Sequence, residues 1–519
     1  MKLSAAHHEA LNRRRRMVVQ YDAYANLGGD FAQWLDYRFD YVDSSGVQID
    51  GLWWDIGGGS YATYPSRVLP PTEDVGLLKW RAQGIDWVGE LVAQTRRRGL
   101  ECFWNHRISE VDVRPEGGLD VERLQPLKAQ HPDWVIKSWW WQGLWNLASP
   151  GLREHVVAVL RELAQSYDLD GFQLDFARHV PCLPPGRQWE LRDEATQFVR
   201  MVREMLQEVA AARGRPYLLA ARVPRTPEGC VLDGFDVATW AAEGLVDILS
   251  LGSRSMEVDI EGFRRLIAGS HVKLQPCLDD HHSPDAYQYP PIEHFRGVFT
   301  NWWSQGADGV MTFNWSNASA DRCRQVGALP GPKSHLEAYR ECGSPQSMWL
   351  SDKRFVVQRR GGYPWAEGYF NRNDDAPLPV TLRNDGTAAE LDLRIHEPVA
   401  SLAEQVASVT VRVVLFGARE ADEFEVCLNG GLPLVELGRD ENWKDNQIFS
   451  PAPQPASGGA DHWEVNPEQR LLCLELSAEP RALHRGWNRL CVAIGSRQPF
   501  LPMQDIVLEK VEVDVKYAG

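Results

Sequence analysis

Residues 168–180 read DLDGFQLDFARHV, and this stretch decides the fold. The run from Gly171 to Leu174 is apolar except for Gln173, which is typical of a parallel strand buried on both faces. The run stops at Asp175. Catalytic groups of a β/α barrel lie at the carboxyl ends of its strands, so an acid at this point predicts chemistry. The alternative is that Asp175 only caps the helix that follows.

Seven further runs of this kind occur, and most are followed by an amphipathic helical pattern. The eight predicted strands are Met17–Asp22, Ile49–Ile56, Leu100–Ile108, Leu169–Phe176, Tyr217–Val223, Asp247–Leu251, Val272–Leu278 and Gly309–Trp315. Eight strands that alternate with helices predict a closed (β/α)8 TIM barrel. A doubly wound open sheet is the alternative, but residues 26–29 (Asn-Leu-Gly-Gly) lack the glycine fingerprint of that fold.

The pattern changes near residue 345. Helical periodicity disappears there, and short alternating runs such as Ala389–Ile395 are separated by turn residues. This pattern predicts an antiparallel β-sandwich. We therefore expect a barrel over residues 1–344 and an all-β sandwich over residues 345–519, in which Leu437–Val465 forms a long surface excursion.

Composition excludes several classes of protein. A formal charge of −16 disfavours binding to nucleic acid or to an anionic membrane. No apolar run approaches the ~18 residues of a membrane span, and the first residues lack the pattern of a signal peptide, so we expect a cytoplasmic protein. The nine cysteines are scattered without a CxxC pair, which argues against a disulfide framework or a structural zinc site. No cofactor is expected.

Polar and aromatic residues follow most of the predicted strands, at what would be one end of the barrel. Helix caps do not require so many His, Arg and Trp residues together, so this set favours a functional cleft for a carbohydrate. Indole faces can stack on sugar rings, although tryptophan also fills cores. The residues expected to bind substrate are Trp54, Asp55, Asn105, His106, Arg107, Arg178, Arg222, Asp280, His281 and Trp315.

Cleavage of a glycosidic bond needs two carboxyl groups, one ionised and one protonated. We take Asp175 as the ionised group, because Arg178 or Arg222 could hold it charged. The second carboxyl stays open: Asp279 ranks slightly above Glu257, and Asp280 and Asp55 follow. Asp279, His281 and His282 also raise the alternative of a metal site, but no HxH or HxxxH spacing supports it.

The sequence resembles a known family at these positions. Residues 145–153, WNLASPGLR, and residues 167–175, YDLDGFQLD, resemble glycosyl hydrolase-like family 10, over roughly residues 80–320. The resemblance implies a barrel with an attached β-sandwich and cleavage of glycosidic bonds. The C-terminal segments Val411–Gly430 and His484–Val515 resemble the jelly-roll sandwiches of such proteins.

A weaker resemblance is to the α-amylase superfamily, through residues 171–179 and through Asn105-His106. The sequence departs from that superfamily at Gln173, where an Arg is usual, and at Arg222, where the acid Glu is usual. The leading hypothesis is a glycoside hydrolase that uses Asp175. The alternatives are a non-catalytic carbohydrate-binding barrel and a metal-assisted lyase or hydrolase.

Overall fold

A computed structural model gives the fold of the chain. The structure describes residues 3–23, 27–56, 61–109, 124–176, 179–279, 290–315, 323–324, 327–360, 375–443, 471–498 and 504–518. Within these residues no helix is long and apolar enough to cross a membrane.

The strands alternate with helices in the first part of the chain and follow one another in the last part. In chain order they are β1 (Met17–Asp22), β2 (Ile49–Asp55), β3 (Glu101–Arg107), β4 (Val135–Ile136), β5 (Leu144–Trp145), β6 (Gly171–Asp175), β7 (Leu218–Val223), β8 (Ile248–Leu251), β9 (Lys273–Asp279), β10 (Val310–Phe313), β11 (Lys353–Val356), β12 (Val380–Thr381), β13 (Ala389–Ile395), β14 (Val406–Phe416), β15 (Glu423–Leu428), β16 (Val435–Asp440), β17 (Leu471–Ala478), β18 (Gly486–Ser496) and β19 (Val507–Tyr517).

Local sequence explains where the helices begin. Asp86 accepts a hydrogen bond from the Gly89 amide and so caps α4, and Pro150 starts α6 where a missing amide hydrogen costs nothing. The helices are α1 (Ala5–Leu11), α2 (Phe31–Phe39), α3 (Val75–Ala82), α4 (Trp87–Arg97), α5 (Pro126–Gln130), α6 (Pro150–Ser166), α7 (Arg192–Arg213), α8 (Pro227–Asp233), α9 (Val237–Ala242), α10 (Ile260–Leu266), α11 (Ile292–Ser304) and α12 (Leu336–Glu341).

The predicted TIM barrel is confirmed. Eight parallel strands close in the order β1-β10-β9-β8-β7-β6-β3-β2, and they are the eight strands predicted from the sequence, within two residues at each end. Their small apolar interior includes Trp53 and Phe103, whose rings stack with centroids 4.3 Å apart. Leu11 of α1 belongs to the same interior cluster. Because α1 leads into the first residues of β1, it closes the barrel at the end opposite to the strands' carboxyl ends.

The predicted β-sandwich is also confirmed. One sheet has the order β11-β19-β14-β17-β16, with β12 also paired to β19, and the other has the order β13-β18-β15. Residues of both sheets share one apolar core, for example Val413 and Val513 on one side and Leu393 and Val492 on the other. One expectation is wrong: residues 437–440 are not part of a surface excursion, because β16 pairs with β17 along an antiparallel ladder.

Barrel and sandwich meet along α11. A Cβ atom on Gly297 would lie 2.1 Å from the Arg354 carbonyl oxygen of β11, so this helix needs a glycine where the strand crosses it. Asn301 donates to the Arg394 carbonyl oxygen at 2.8 Å and accepts from the His396 amide at 2.8 Å. The predicted boundary between residues 344 and 345 falls between α12 and β11 and stays a prediction.

Candidate active site

Strand alternation turns a defined set of polar side chains toward the barrel axis. Trp53 and Phe103 lie in the interior, so Asp55, Asn105 and Arg107 on the same strand faces point inward as well. Asp175 follows from the register, because it pairs with Arg107 on one side and with Arg222 on the other. We call the following residues the mouth cluster: Gln20, Asp22, Asp55, Asn105, Arg107, Asp175, Arg222, Arg254, Asp279 and Asn314.

Asp175 is fully buried and is held by side chains from three other strands, the adjacent β3 and β7 and the more distant β1. Its Oδ2 atom accepts from Asn105 Nδ2 at 3.2 Å and from Gln20 Nε2 at 3.5 Å, and it lies 3.6 Å from the Arg222 guanidinium. Arg222 is itself fully buried and lies over the Phe313 ring at 4.7 Å. An amide donor and a buried positive charge both stabilise the carboxylate form. The surroundings of Asp175 therefore suit an anion, and they exceed what a helix cap requires.

Asp55 and Arg107 form an ion pair next to Asp175. Arg107 lies 2.6 Å from Asp55 and 2.7 Å from Asp22, so one guanidinium joins two acids. Asn105 Nδ2 also donates to Asp55 Oδ2 at 2.9 Å. The same amide group thus connects Asp55 with Asp175. This chain of contacts fixes the orientation of Asn105 and, through it, one oxygen of Asp175.

Asp279 has a parallel arrangement on the other side of the barrel. Its Oδ2 atom accepts from Asn314 Nδ2 at 3.0 Å and lies 3.6 Å from the Arg254 guanidinium. Asn314 directly follows β10 and has a φ angle of 62°, a left-handed conformation that Asn tolerates better than most residues. Asp175 and Asp279 therefore each have at least one carboxamide donor and one guanidinium.

Several buried polar atoms around Asp175 have no hydrogen-bond partner among the residues that the structure describes. They are Gln20 Oε1, Asn105 Oδ1, Gln173 Oε1 and Arg222 Nε. Leaving such atoms without a partner costs about 1–3 kcal/mol each, so native proteins fill these places with water or a ligand. The mouth cluster thus presents both donors and acceptors, which suits a polyhydroxylated ligand.

Four of the predicted site residues lie away from the mouth cluster, and these predictions are corrected as follows. Trp54 alternates with Asp55 and points out of the barrel, where its Nε1 atom donates to Thr95 of α4 at 2.9 Å. Trp315 is 1% exposed and packs against Phe295 and His335 outside the barrel. His106 and Glu257 are treated next.

His106 also alternates away from the axis, between Asn105 and Arg107. It is 2% exposed, and its Nδ1 atom has no hydrogen-bond partner in the described part of the chain. Burial, and to a smaller extent the nearby His155, lowers the pKa of His106 to about 4. His106 is therefore a neutral core residue behind the strand rather than a sugar ligand.

Glu257 lies at the boundary with the sandwich. Its carboxylate is 3.3 Å from the Arg394 guanidinium of β13, and its backbone amide donates to Gln358 Oε1 at 3.0 Å. Burial raises the pKa of Glu257, and Arg394 opposes that shift. These contacts link the barrel to the sandwich, and none of the described contacts of Glu257 is with Asp175.

Three of the predicted site residues, Arg178, Asp280 and His281, lie outside the described residues. Among the described residues no group of His, Cys, Asp and Glu could hold a metal ion. Sequence reasoning did not select Gln20, Asp22, Arg254 or Asn314 for the site. The register of β1 with β2 would have identified Gln20 and Asp22, since they lie on the same strand face as Val18, which is in the interior.

Comparison with known proteins identifies one family. Residues 39–186 match the family described as Glycosyl hydrolase-like 10. The resemblance seen in the sequence is therefore confirmed, and the matched segment contains β2, β3, β6 and Asp175. No curated protein matches the chain.

Solved structures give distant likenesses. The PgaB (BpsB) glycoside hydrolase domain from Bordetella bronchiseptica is 13% identical, with 61% of this chain and 100% of that chain covered and a TM-score of 0.39. A family GH18 chitinase from Chromobacterium violaceum is 10% identical, with 96% and 91% covered and a TM-score of 0.37. A family GH10 endo-β-1,4-xylanase from Gloeophyllum trabeum is 11% identical, with 64% and 98% covered and a TM-score of 0.36. At such scores these likenesses do not bear on the activity of this chain.

Proposed function

We propose that the protein is a glycoside hydrolase in which Asp175 is the ionised catalytic carboxylate and Asp279 is the second carboxyl group. One observation carries the proposal. Two buried carboxylates at the carboxyl ends of β6 and β9 each face at least one carboxamide and one guanidinium, beside donors and acceptors that have no hydrogen-bond partner among the described residues. The family match gives the same class of reaction, and its segment includes Asp175.

The chemistry follows from the position of the two groups. Asp175 is held through Oδ2 by Asn105 and Arg222, and its carboxylate attacks the anomeric carbon or takes a proton from water. The leaving oxygen then needs a proton, and Asp279 is the described carboxyl of the mouth cluster proposed to supply it. The substrate class is a polysaccharide or oligosaccharide, and the reaction needs no cofactor.

A second candidate function is supported by the same distances. Guanidinium groups 3.6 Å from both Asp175 and Asp279 favour the ionised form of both, whereas hydrolysis requires one protonated carboxyl. A barrel with two anions would bind a glycan without cleaving it. The function of Asp279 as an acid is therefore the step that separates the two candidates.

The experiment uses a panel of 2,4-dinitrophenyl glycosides and the matching natural glycans. Asp175→Asn is expected to lower kcat by about 10³-fold or more on both kinds of substrate, because the carboxylate acts in every turnover. Azide should restore turnover of the dinitrophenyl glycosides by an Asp175→Ala variant if Asp175 is a nucleophile. Asp279→Asn should lose activity on natural glycans but keep most of it on dinitrophenyl glycosides, since that leaving group needs no proton.

The matched control is Asp168→Asn, an exposed acid paired with Arg215 at the opposite end of β6. It should keep full activity. If Asp175→Asn turns over any cleaved glycoside at a near-normal rate, or if the wild-type protein binds a glycan and releases no product over hours, the hydrolase proposal is wrong. Equal loss on both substrates in Asp279→Asn would instead assign Asp279 to charge stabilisation.

A further inference from the structure

Three consecutive tryptophans lie on a hairpin outside the mouth cluster. β4 and β5 pair antiparallel, Val135 with Trp145 and Ile136 with Leu144, and the residues between them carry Trp139, Trp140 and Trp141 at the tip. The hairpin belongs to the long connection after β3, which leaves the barrel at the same end as Asp175. Connections at this end of a β/α barrel form the substrate cleft.

The base of the hairpin is rigid. Lys128 is 1% exposed, donates to the Gly143 carbonyl oxygen at 2.7 Å and lies 5.2 Å from the Trp145 ring centroid. Gly143 has a φ angle of 79°, and a Cβ atom there would lie 2.1 Å from a Val135 methyl group. Gln142 is also buried and accepts from the Gln125 amide. The tip is therefore held in one position by its own backbone and by a buried ammonium group.

One hydrogen bond joins this tip to the segment that follows β6, and a second holds that segment against the residues that follow β3. Trp139 Nε1 donates to the Val180 carbonyl oxygen at 2.8 Å, and His179 Nδ1 lies 2.9 Å from the Ser109 carbonyl oxygen. The rings of Trp139 and His179 are 5.8 Å apart. Since His179 and Val180 follow Asp175 closely in the chain, the indoles start beside the end of the strand that carries Asp175.

The row continues outward from there. The Trp139 and Trp140 ring centroids are 6.2 Å apart, and those of Trp140 and Trp141 are 6.4 Å apart. Exposure increases along the row, from the half-buried Trp139 and Trp140 to Trp141, whose exposed fraction is 49%. The row keeps apolar indole surface in contact with water, and clustered apolar surface of this kind is typical of a site that a ligand covers.

We propose that Trp139, Trp140 and Trp141 form a glycan-binding strip that takes the sugar residues of an extended polysaccharide next to the residue held at Asp175. This inference rests on the proposed function, because it takes a glycan as the ligand of the mouth cluster. The class of substrate follows from the strip: a long chain whose sugar faces cover several indoles, rather than a single small glycoside. Sugar rings offer apolar C–H faces to an indole and leave their hydroxyl groups to solvent.

Binding is tested apart from turnover. The Asp175→Asn protein is run by native affinity electrophoresis through gels that contain laminarin, arabinoxylan, galactomannan, hydroxyethyl cellulose or glycol chitin. At least one polymer should retard it. Adding Trp141→Ala should raise the dissociation constant for that polymer roughly tenfold, as truncation of a central tryptophan does in other interfaces. Trp141→Phe should recover part of the affinity, because it keeps an aromatic face.

Trp349→Ala is the matched control, since Trp349 is 54% exposed and follows α12 near residues that contact Gln48 at the other end of the barrel. It should migrate like the parent protein. The strip proposal is overturned if no polymer retards the parent, or if Trp140→Ala and Trp141→Ala migrate unchanged. Retardation that depends on Trp141 together with no hydrolysis would reject the hydrolase and keep the strip. Hydrolysis of dinitrophenyl glycosides without any retardation would reject the strip alone.

Discussion

Asp247 closes the barrel at the end opposite to the mouth cluster, and its replacement by Asn tests how that end is stabilised. The residue is fully buried just before β8. Its Oδ2 atom accepts from Arg203 at 2.7 Å and from the Leu219 amide at 2.8 Å. Its Oδ1 atom lies 2.8 Å from His7 Nε2 and 3.1 Å from His271 Nε2. One carboxylate thus joins α1, α7, β7 and the segment that precedes β9.

The expected loss in the free energy of unfolding depends on which contacts of Asp247 an Asn side chain can keep. Its oxygen can keep the Arg203 and Leu219 contacts, and its NH₂ group can face the two imidazoles if these turn an acceptor nitrogen toward it. The negative charge is lost, however, and Arg203 is left fully buried without a countercharge. Breaking a buried pair in this way costs about 3–5 kcal/mol, and the retained hydrogen bonds place Asp247→Asn near 3 kcal/mol.

The dependence on pH has a definite sign. Arg203 and the two imidazoles hold the pKa of Asp247 well below its usual value. A carboxyl with a depressed pKa in the folded state stabilises the fold above its unfolded pKa of about 4, and this contribution is lost as the pH falls through the folded value. The difference between wild type and Asp247→Asn should therefore be constant from pH 5 to 7 and shrink below about pH 4.

The assay is urea unfolding followed by tryptophan fluorescence, which reports on the barrel because its fully buried indoles lie there. Asp168→Asn is the control: Asp168 is 60% exposed in its side chain and pairs with Arg96 at 2.9 Å, so its loss should cost less than about 1 kcal/mol. A loss below 1 kcal/mol for Asp247→Asn at pH 7, or one equal to that of Asp168→Asn, would refute the reasoning.

Three further predictions use other parts of the fold. The pKa of buried His106 is lowered to about 4, so between pH 6.5 and 4 the unfolded chain binds a proton that the folded chain does not, and the wild type loses about 3 kcal/mol of stability over that range. His106→Gln should remove this loss in urea titrations, and an unchanged pH profile would contradict the prediction. Gly143→Ala should lower both the melting temperature and the retardation by polysaccharide, because a Cβ atom there would lie 2.1 Å from a Val135 methyl group. Gly214 has a similar φ of 72° but open space around it, so Gly214→Ala should lower the melting temperature less. Arg394→Ala should remove the guanidinium that lies 3.3 Å from the Glu257 carboxylate, and so lower the melting temperature by a few degrees without changing kcat. A large loss of kcat at full stability would return Glu257 to the list of catalytic acids.

The sequence by itself determined the architecture. The period of the apolar residues separates strands from helices, and eight alternations leave few folds other than the closed barrel. It also determined that Asp175 lies at the carboxyl end of β6, because the apolar run that forms the buried strand stops at this acid. The same pattern reached Asp55, Asn105, Arg107, Arg222 and Asp279, which all lie in the mouth cluster.

The tertiary structure alone shows whether each residue next to a strand end points into the barrel or away from it. Trp54 and His106 have inward-facing neighbours and point the other way, because side chains alternate along a strand and only the closed register shows which set is inside. Glu257 ion-pairs with Arg394 of the sandwich, a contact between residues far apart in the chain that no local pattern encodes. The hairpin of Trp139–Trp141 was missed as an element, since its two-residue strands are too short to show a period and are held by Lys128 instead.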